Sequence, residues 1–295
     1  MRILASILLT LFLGLSSVIA QDKPAYVLYN SKGKKVSYSK MLKSFKKSEV
    51  ILFGEYHDNP ISHWLELEVT KDLAANYQLS LGAEMIEADD QKHLNNYLTE
   101  VIDAAEFDTI ARLWNNYKTD YKPLVDFARD SNLKFIATNV PRRYARIVAR
   151  GGFEALDTLS ATDKTYIAPL PIAFDPEIKT YKEMLTMMGD HGSPNIVKAQ
   201  AIKDATMAHN IMKYVPARKK FSLKSAVDQK FLHYNGAYHS DFHEGIEWQI
   251  HQINKKTRVS TISTVMSSDP TKFPKDHLGR ADFIIVVDED MTRTY

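Results

Sequence analysis

Val50-Ile51-Leu52-Phe53-Gly54-Glu55-Tyr56-His57-Asp58-Asn59-Pro60 is the stretch on which the fold turns. Four apolar residues in a row, closed by a glycine, suit a strand buried on both faces, as strands of parallel sheets are. Asn59 is a good N-cap and Pro60 a good first helical residue. Leu65, Val69 and Leu73 then recur at helical spacing, and residues 79–86 read as a second strand. Strand, polar loop, helix and strand make one βαβ unit.

Outward from that unit the alternation continues. A helical region over about 89–130 carries Tyr97, Ile110, Trp114 and Phe127 as expected core residues. Residues 133–137 form a third strand that ends at Thr138-Asn139. Pro141 opens a helix that Gly151-Gly152 stops. The next stretch, about 153–194, is less regular, with Pro-rich breaks, Met184, Met187 and Met188, and the loop Gly189-Asp190-His191-Gly192. A helix over 195–214 and strands over 230–236, 258–265 and 283–287 complete the pattern. Residues 21–48 read as a lysine-rich lead-in with a turn at Gly33. Strands alternating with helices predict an α/β fold: a largely parallel sheet flanked by helices, with a helical insertion at about 153–194. No linker or internal repeat divides the chain, so 21–295 reads as a single domain.

Composition narrows the function. With 44% hydrophobic and 25% charged residues among 295, disorder is excluded as the dominant state. Thirty-eight basic against 36 acidic residues, net +2, is too even for a general nucleic-acid binder. The absence of cysteine removes disulfides, zinc–thiolate sites, iron–sulfur clusters and cysteine nucleophiles. Ten His and fifteen Tyr remain as candidates for chemistry. The first twenty residues read as a signal peptide: Arg2, an apolar run over 3–19, and the small-residue pattern Val18-Ile19-Ala20, with cleavage after Ala20. The expected mature chain is soluble, exported and periplasmic. With no cysteine to lipidate, it is not expected to be a lipoprotein.

In an open parallel sheet, sites gather past the carboxyl ends of the strands. Those positions hold Gly54-Glu55-Tyr56-His57, Glu84-Met85-Ile86-Glu87, Asn139-Val140-Pro141-Arg142-Arg143 and Gly236-Ala237-Tyr238-His239. The spacing Gly-x-Tyr-His thus occurs twice. If those strands are neighbours, His57 and His239 converge with Glu55 and Glu84 beside them, a divalent-metal or acid–base constellation. The plainer alternative is a solvated rim of helix caps. Asp204, on the helix with Gln200 and Met207, either holds the tautomer of a site histidine or sits on an exposed face. His243 reads as the start of a surface helix with Glu244 and Glu247, and His63 and His209 as surface or packing residues.

The helix after Pro141 carries a second constellation. Arg143, Arg146 and Arg150 form a basic stripe, and Tyr144, Ile147 and Val148 an adjacent apolar face. An apolar plate, an ionisable Tyr and nearby guanidiniums are what a ferric haem with its propionates requires, and Tyr is an axial ligand of haem iron. Neighbouring Arg charges push a phenol's pKa of about 10 downwards. A solvated basic helix face is the alternative.

Taken in order, these motifs and the 200–209 helix resemble the ChaN-like haem-binding uptake proteins, a family within the superfamily of TIKI proteases and erythromycin-esterase-like hydrolases. The resemblance covers about 48–290. It implies an α/β fold, export to the cell envelope, and haem binding for iron acquisition rather than enzymatic activity. It further implies a haem held between two protomers, with a Tyr on the iron and a His nearby. The Tyr role falls on Tyr144, with Tyr166 and Tyr181 as rivals, and the His role on His191, with Arg143 and Arg146 as further haem-binding residues. A haem-promoted homodimer follows, covered by the apolar residues Phe174, Tyr181, Met184, Leu185, Met187 and Met188, with an outer-membrane haem receptor as a further partner. The alternative is a metal-dependent hydrolase. It would hold a divalent ion with Glu55, His57, Glu84 and His239 and use His57, Glu84, His239 and Asp204 in catalysis.

Overall fold

The computed structural model describes residues 23–189, 193–215 and 229–295. The expected signal peptide and His191 lie outside the described residues. The strands are β1 (Tyr26–Asn30), β2 (Val50–Glu55), β3 (Gln78–Glu87), β4 (Lys134–Asn139), β5 (Gln229–Gly236), β6 (Val259–Ser267) and β7 (Phe283–Asp288). The α-helices are α1 (Tyr38–Ser44), α2 (Pro60–Ala74), α3 (Gln91–Leu98), α4 (Ala104–Ile110), α5 (Lys122–Asp130), α6 (Arg142–Gly151), α7 (Lys179–Met188), α8 (Pro194–Met212) and α9 (Gly245–Ile253). The strands form one sheet in the order β1-β7-β6-β2-β5-β3-β4. Every pairing is parallel except that of β1 with β7. This is the α/β architecture expected from the sequence.

β2 sits mid-sheet and is buried at all six positions. Its side chains alternate between two apolar layers, as a strand's must. Ile51 and Phe53 join Leu65, Val69 and Leu73 of α2 and Leu124 and Val125 of α5. Val50 and Leu52 join Met207, Ala208 and Ile211 of α8 and Ile246 and Ile250 of α9. Asn59 caps α2 as expected, its Oδ1 accepting the N–H groups of Ile61 and Ser62, both at 3.0 Å.

Three expectations need correction. The lead-in contains β1, whose partners Phe283–Val287 lie some 250 residues away, so no local signal marks the pairing. The helical region expected over 89–130 is built of α3, α4, a π-helical turn over Tyr117–Tyr121, and α5. Ile110 ends α4 exposed rather than buried, because α4 buries only Phe107. The apolar residues of the irregular stretch mostly face inward. Tyr181 is buried, and Phe174, Met184 and Leu185 pack with it against Val197 and Ala201 of α8; Met187 is exposed. No described helix is long and apolar enough to cross a membrane.

Candidate functional site

Parallel pairing of β2 with β5 sets Glu55 beside Gly236, so the two Gly-x-Tyr-His segments leave the sheet side by side. β3 flanks β5 on its other side and delivers Glu84. Glu84 Oε2 accepts the backbone N–H of Gly236 at 2.9 Å, and its Oε1 lies 3.1 Å from His239 Nε2. On the other side of that ring, Asp204 Oδ1 lies 2.5 Å from Nδ1. Tyr181 donates to Asp204 Oδ2 at 2.9 Å, and the Gln200 amide sits 3.0 Å from His239 Nδ1. Asp204 is therefore a buried partner of His239 and not a residue of an exposed face.

His57 is the more open of the two histidines, with 35% of its side chain exposed against 6% for His239. Its Nδ1 lies 2.6 Å from Glu55 Oε1, and its ring meets Trp114 edge-on at 4.8 Å. The Nε2 side lies over Gly236, where a Cβ would come within 2.7 Å of it. Each imidazole is thus pinned by a carboxylate at Nδ1, which fixes its orientation.

Burial and charge compete at every group here. Burial opposes the imidazolium of His239, but Glu84 and Asp204 outweigh it and lift the ring to about 9. Burial would raise Glu84, yet the charge of His239 holds its carboxyl well below the usual range. For Glu55, the hydrogen bond from His57 and the charge of His63 at 3.1 Å outweigh burial and hold it at about 2. Glu66 goes the other way: burial and the neighbouring Glu55 charge raise it well above a normal carboxyl.

His63 is not a mere packing residue. Its Nδ1 lies 3.1 Å from both Glu55 Oε2 and Glu66 Oε2, and all three residues are buried. Tyr121, set by the π-helical turn, donates to Glu55 Oε1 at 2.7 Å. Glu55, His63 and Glu66 form the one group among the described residues whose donor atoms cluster tightly enough for a metal ion. The set expected from sequence was Glu55, His57, Glu84 and His239. The structure brings it together as two pairs, Glu55 with His57 and Glu84 with His239, and Glu84 also accepts from the backbone of Gly236.

Beside His57, Trp114 and Asn116 border a cavity of about 650 Å³. Four guanidiniums line it: Arg112, Arg142, Arg143 and Arg146, with Glu87, Leu113 and Tyr295. Arg112 and Arg143 are engaged by Asp89. Arg142 and Arg146 make no ion pair among the described residues. Arg143 and Arg146 are thus brought together as the sequence suggested, whereas Arg150 does not line the cavity.

Tyr144 stands elsewhere. It is buried, donates to Asp163 Oδ1 at 2.5 Å and accepts from Arg143 Nη2 at 2.9 Å. Burial and Asp163 raise its pKa and outweigh Arg143, the reverse of the lowering expected from the arginines alone. Its helix face, with Val148, packs against Leu156, Ile202 and Ala205 and is core rather than a free apolar plate. An amphipathic helix docks through its apolar stripe, and α6 uses that stripe on α8. Tyr166 is half-buried beside this cluster, and Tyr181 is committed to Asp204. His243 pairs with Glu247 at 2.8 Å, but it precedes α9 and Glu247 is buried, so this is not the surface helix expected.

A family model described as haem-binding uptake, Tiki superfamily, ChaN matches residues 41–250. The chain belongs to this family. ChaN of Campylobacter jejuni, solved in a structure described as cofacial haem binding, superposes with a TM-score of 0.65 at 19% identity. The superposition covers 89% of this chain and 97% of that one, a likeness of fold. The chloroplastic protein RETICULATA-RELATED 5 of Arabidopsis thaliana is 26% identical over 201 residues, 62% of this chain. The chain spans about a quarter of that relative's length.

Sequence reasoning missed His63, Glu66, Tyr121, Arg112, Trp114 and Tyr295. For His63 and Glu66 a signal existed: polar residues three apart, flanking Leu65 on the apolar stripe of α2. Tyr295 meets Arg112 and Trp114 only through tertiary packing.

Proposed function

We propose that this chain is an exported, non-enzymatic haem-binding protein that takes up, stores or relays haem in the cell envelope. Membership of the ChaN family supports this, and the cavity is the observation that carries it. A haem needs a slot with some apolar wall and cations for two propionates. Leu113 and Trp114 offer the wall, and Arg142, Arg143 and Arg146 the cations. When bound, haem supplies a ferric iron that takes an anionic oxygen ligand. Tyr144 is the proposed ligand and His191 its companion. Tyr144 does not line the cavity, so it reaches that role only by leaving both its bond to Asp163 and its packed position on α6. Tyr295, already on the cavity wall, is the phenol to compare it with. A second protomer covers the remaining haem face through a two-fold interface, and an outer-membrane receptor exchanges haem with the dimer.

Haemin titration of the apo-protein tests the reading. A saturable ferric spectrum of tyrosinate type is expected, with sedimentation showing more dimer once haemin is bound. No saturable spectrum beyond that of an unrelated protein of similar charge would remove the proposal. An unchanged monomer at saturating haemin would remove the shared site alone.

One observation favours a second reading, hydrolysis. His57 and His239 are each oriented by a carboxylate at Nδ1, and both stand near Glu84, as an acid–base pair would. On this reading His239→Ala abolishes hydrolysis of a peptide or ester and leaves haemin binding intact. Loss of haemin binding in that variant, with the fold retained, would merge the two sites.

A further inference from the structure

We propose that Glu55, His63 and Glu66 form a buried site for one divalent transition-metal ion, distinct from the His57 and His239 pair although it shares Glu55 with the first Gly-x-Tyr-His segment, and independent of the haem reading. The three donor atoms lie within 4.8 Å of one another. His63 Nδ1 is 3.1 Å from an oxygen of each carboxylate. Two bonds of about 2.1 Å at a tetrahedral angle separate their donors by about 3.4 Å, so small shifts admit an ion.

Two further observations point to a cation here. First, the outer nitrogen of His63 is already committed. Nε2 lies 3.2 Å from the carbonyl oxygen of His57, which can only accept, and 3.5 Å from Asp120 Oδ2. Metal-ligating histidines are held in this way, with the far N–H on a carbonyl or carboxylate. That commitment turns the Nδ1 side towards the two glutamates. Second, one N–H at Nδ1 cannot serve two carboxylates. Glu55 Oε2 and Glu66 Oε1 are both buried without a hydrogen bond among the described residues. Imidazole with carboxylate oxygens and no thiolate suits zinc, manganese or ferrous iron better than calcium.

The test uses the full mature chain, stripped with a chelator and then dialysed against zinc chloride or manganese chloride. Bound metal is counted by elemental analysis, and thermal unfolding is followed. The wild type should hold one ion per chain and melt higher with it. His63→Gln and Glu66→Gln should each lower the affinity at least tenfold, whereas His239→Ala should keep the full equivalent. No bound ion in the wild type overturns the proposal. So does an ion retained in both His63→Gln and Glu66→Gln, or one lost in His239→Ala. If a glutamine variant fails to fold, zinc X-ray absorption on the wild type decides. One imidazole per zinc supports this site, and two assign the ion to the His57 and His239 pair instead.

Discussion

His239 stands between two buried carboxylates, with Nδ1 2.5 Å from Asp204 Oδ1 and Nε2 3.1 Å from Glu84 Oε1. Asp204 belongs to α8 and Glu84 to β3, so one ring ties a helix to the sheet. The folded ring titrates at about 9, above its unfolded value of about 6.5. The stabilisation is therefore complete below about pH 6.5 and is lost as pH rises through about 9. A gap of about 2.5 units corresponds to roughly 3 kcal/mol. Unfolding free energy from denaturant curves should decline by an amount of that order across this window. Asp204→Asn should cost about 3–5 kcal/mol at pH 6 and make the decline shallower. An equally steep decline in the variant would show that another group titrates.

Gly236 is a contact point rather than a turn. A Cβ there would lie 2.7 Å from both Cε1 and Nε2 of His57. The ring cannot swing away freely, because Glu55 holds Nδ1 and Trp114 flanks it. Gly236→Ala should therefore cost about 1–3 kcal/mol, the range for an overpacked interior. Equilibrium urea unfolding gives the number. A loss below about 0.5 kcal/mol would mean that His57 repacks without resistance.

Tyr144→Phe separates the structural role of this phenol from its proposed iron role. The hydroxyl serves Asp163 and Arg143 while the ring fills a buried position, so the variant should fold and lose about 1 kcal/mol. With haemin it should lack the tyrosinate charge-transfer band, and Tyr295→Phe should retain it. The opposite pair of spectra would move the ligand to Tyr295.

The fold was legible because its strongest signals are local. Apolar runs such as 50–53, the Asn59-Pro60 start of α2 and the Gly151-Gly152 stop of α6 each act over a few residues. β1 was illegible for the converse reason: it is five residues long, and its register is set by β7. The 89–130 region shows a third case. Its average is helical, but Asp103 caps a new helix and the π-helical turn at Tyr117 breaks the period.

The site divides along the same line. Glu55, His57, Glu84 and His239 were legible because strand ends in a parallel sheet converge, whatever the rest of the chain does. The state of Asp204 was not, since spacing places it on α8 but does not say that α7 and α9 cover it. Tyr144 misled for an energetic reason. Sequence shows the arginines beside it, whereas Asp163, nineteen residues on, and burial set its proton affinity.

The arginines of the cavity should not be equivalent towards haemin. Arg142 and Arg146 are exposed, and neither has an ion pair among the described residues. Each offers a screened charge to a propionate, so Arg142→Ala or Arg146→Ala should weaken binding by up to about tenfold at low salt and by less as salt rises. Arg143 differs because it holds Asp89, which Arg112 also contacts. Removing it takes away a cation and leaves a carboxylate less neutralised beside an anionic ligand. Arg143→Ala should therefore weaken haemin binding more than either neighbour, and Asp89→Asn in that background should restore part of the loss. Haemin titrations at two ionic strengths measure both effects. Equal losses for all three arginines, with no rescue by Asp89→Asn, would show that Asp89 does not face the bound ligand and that the propionates lie elsewhere.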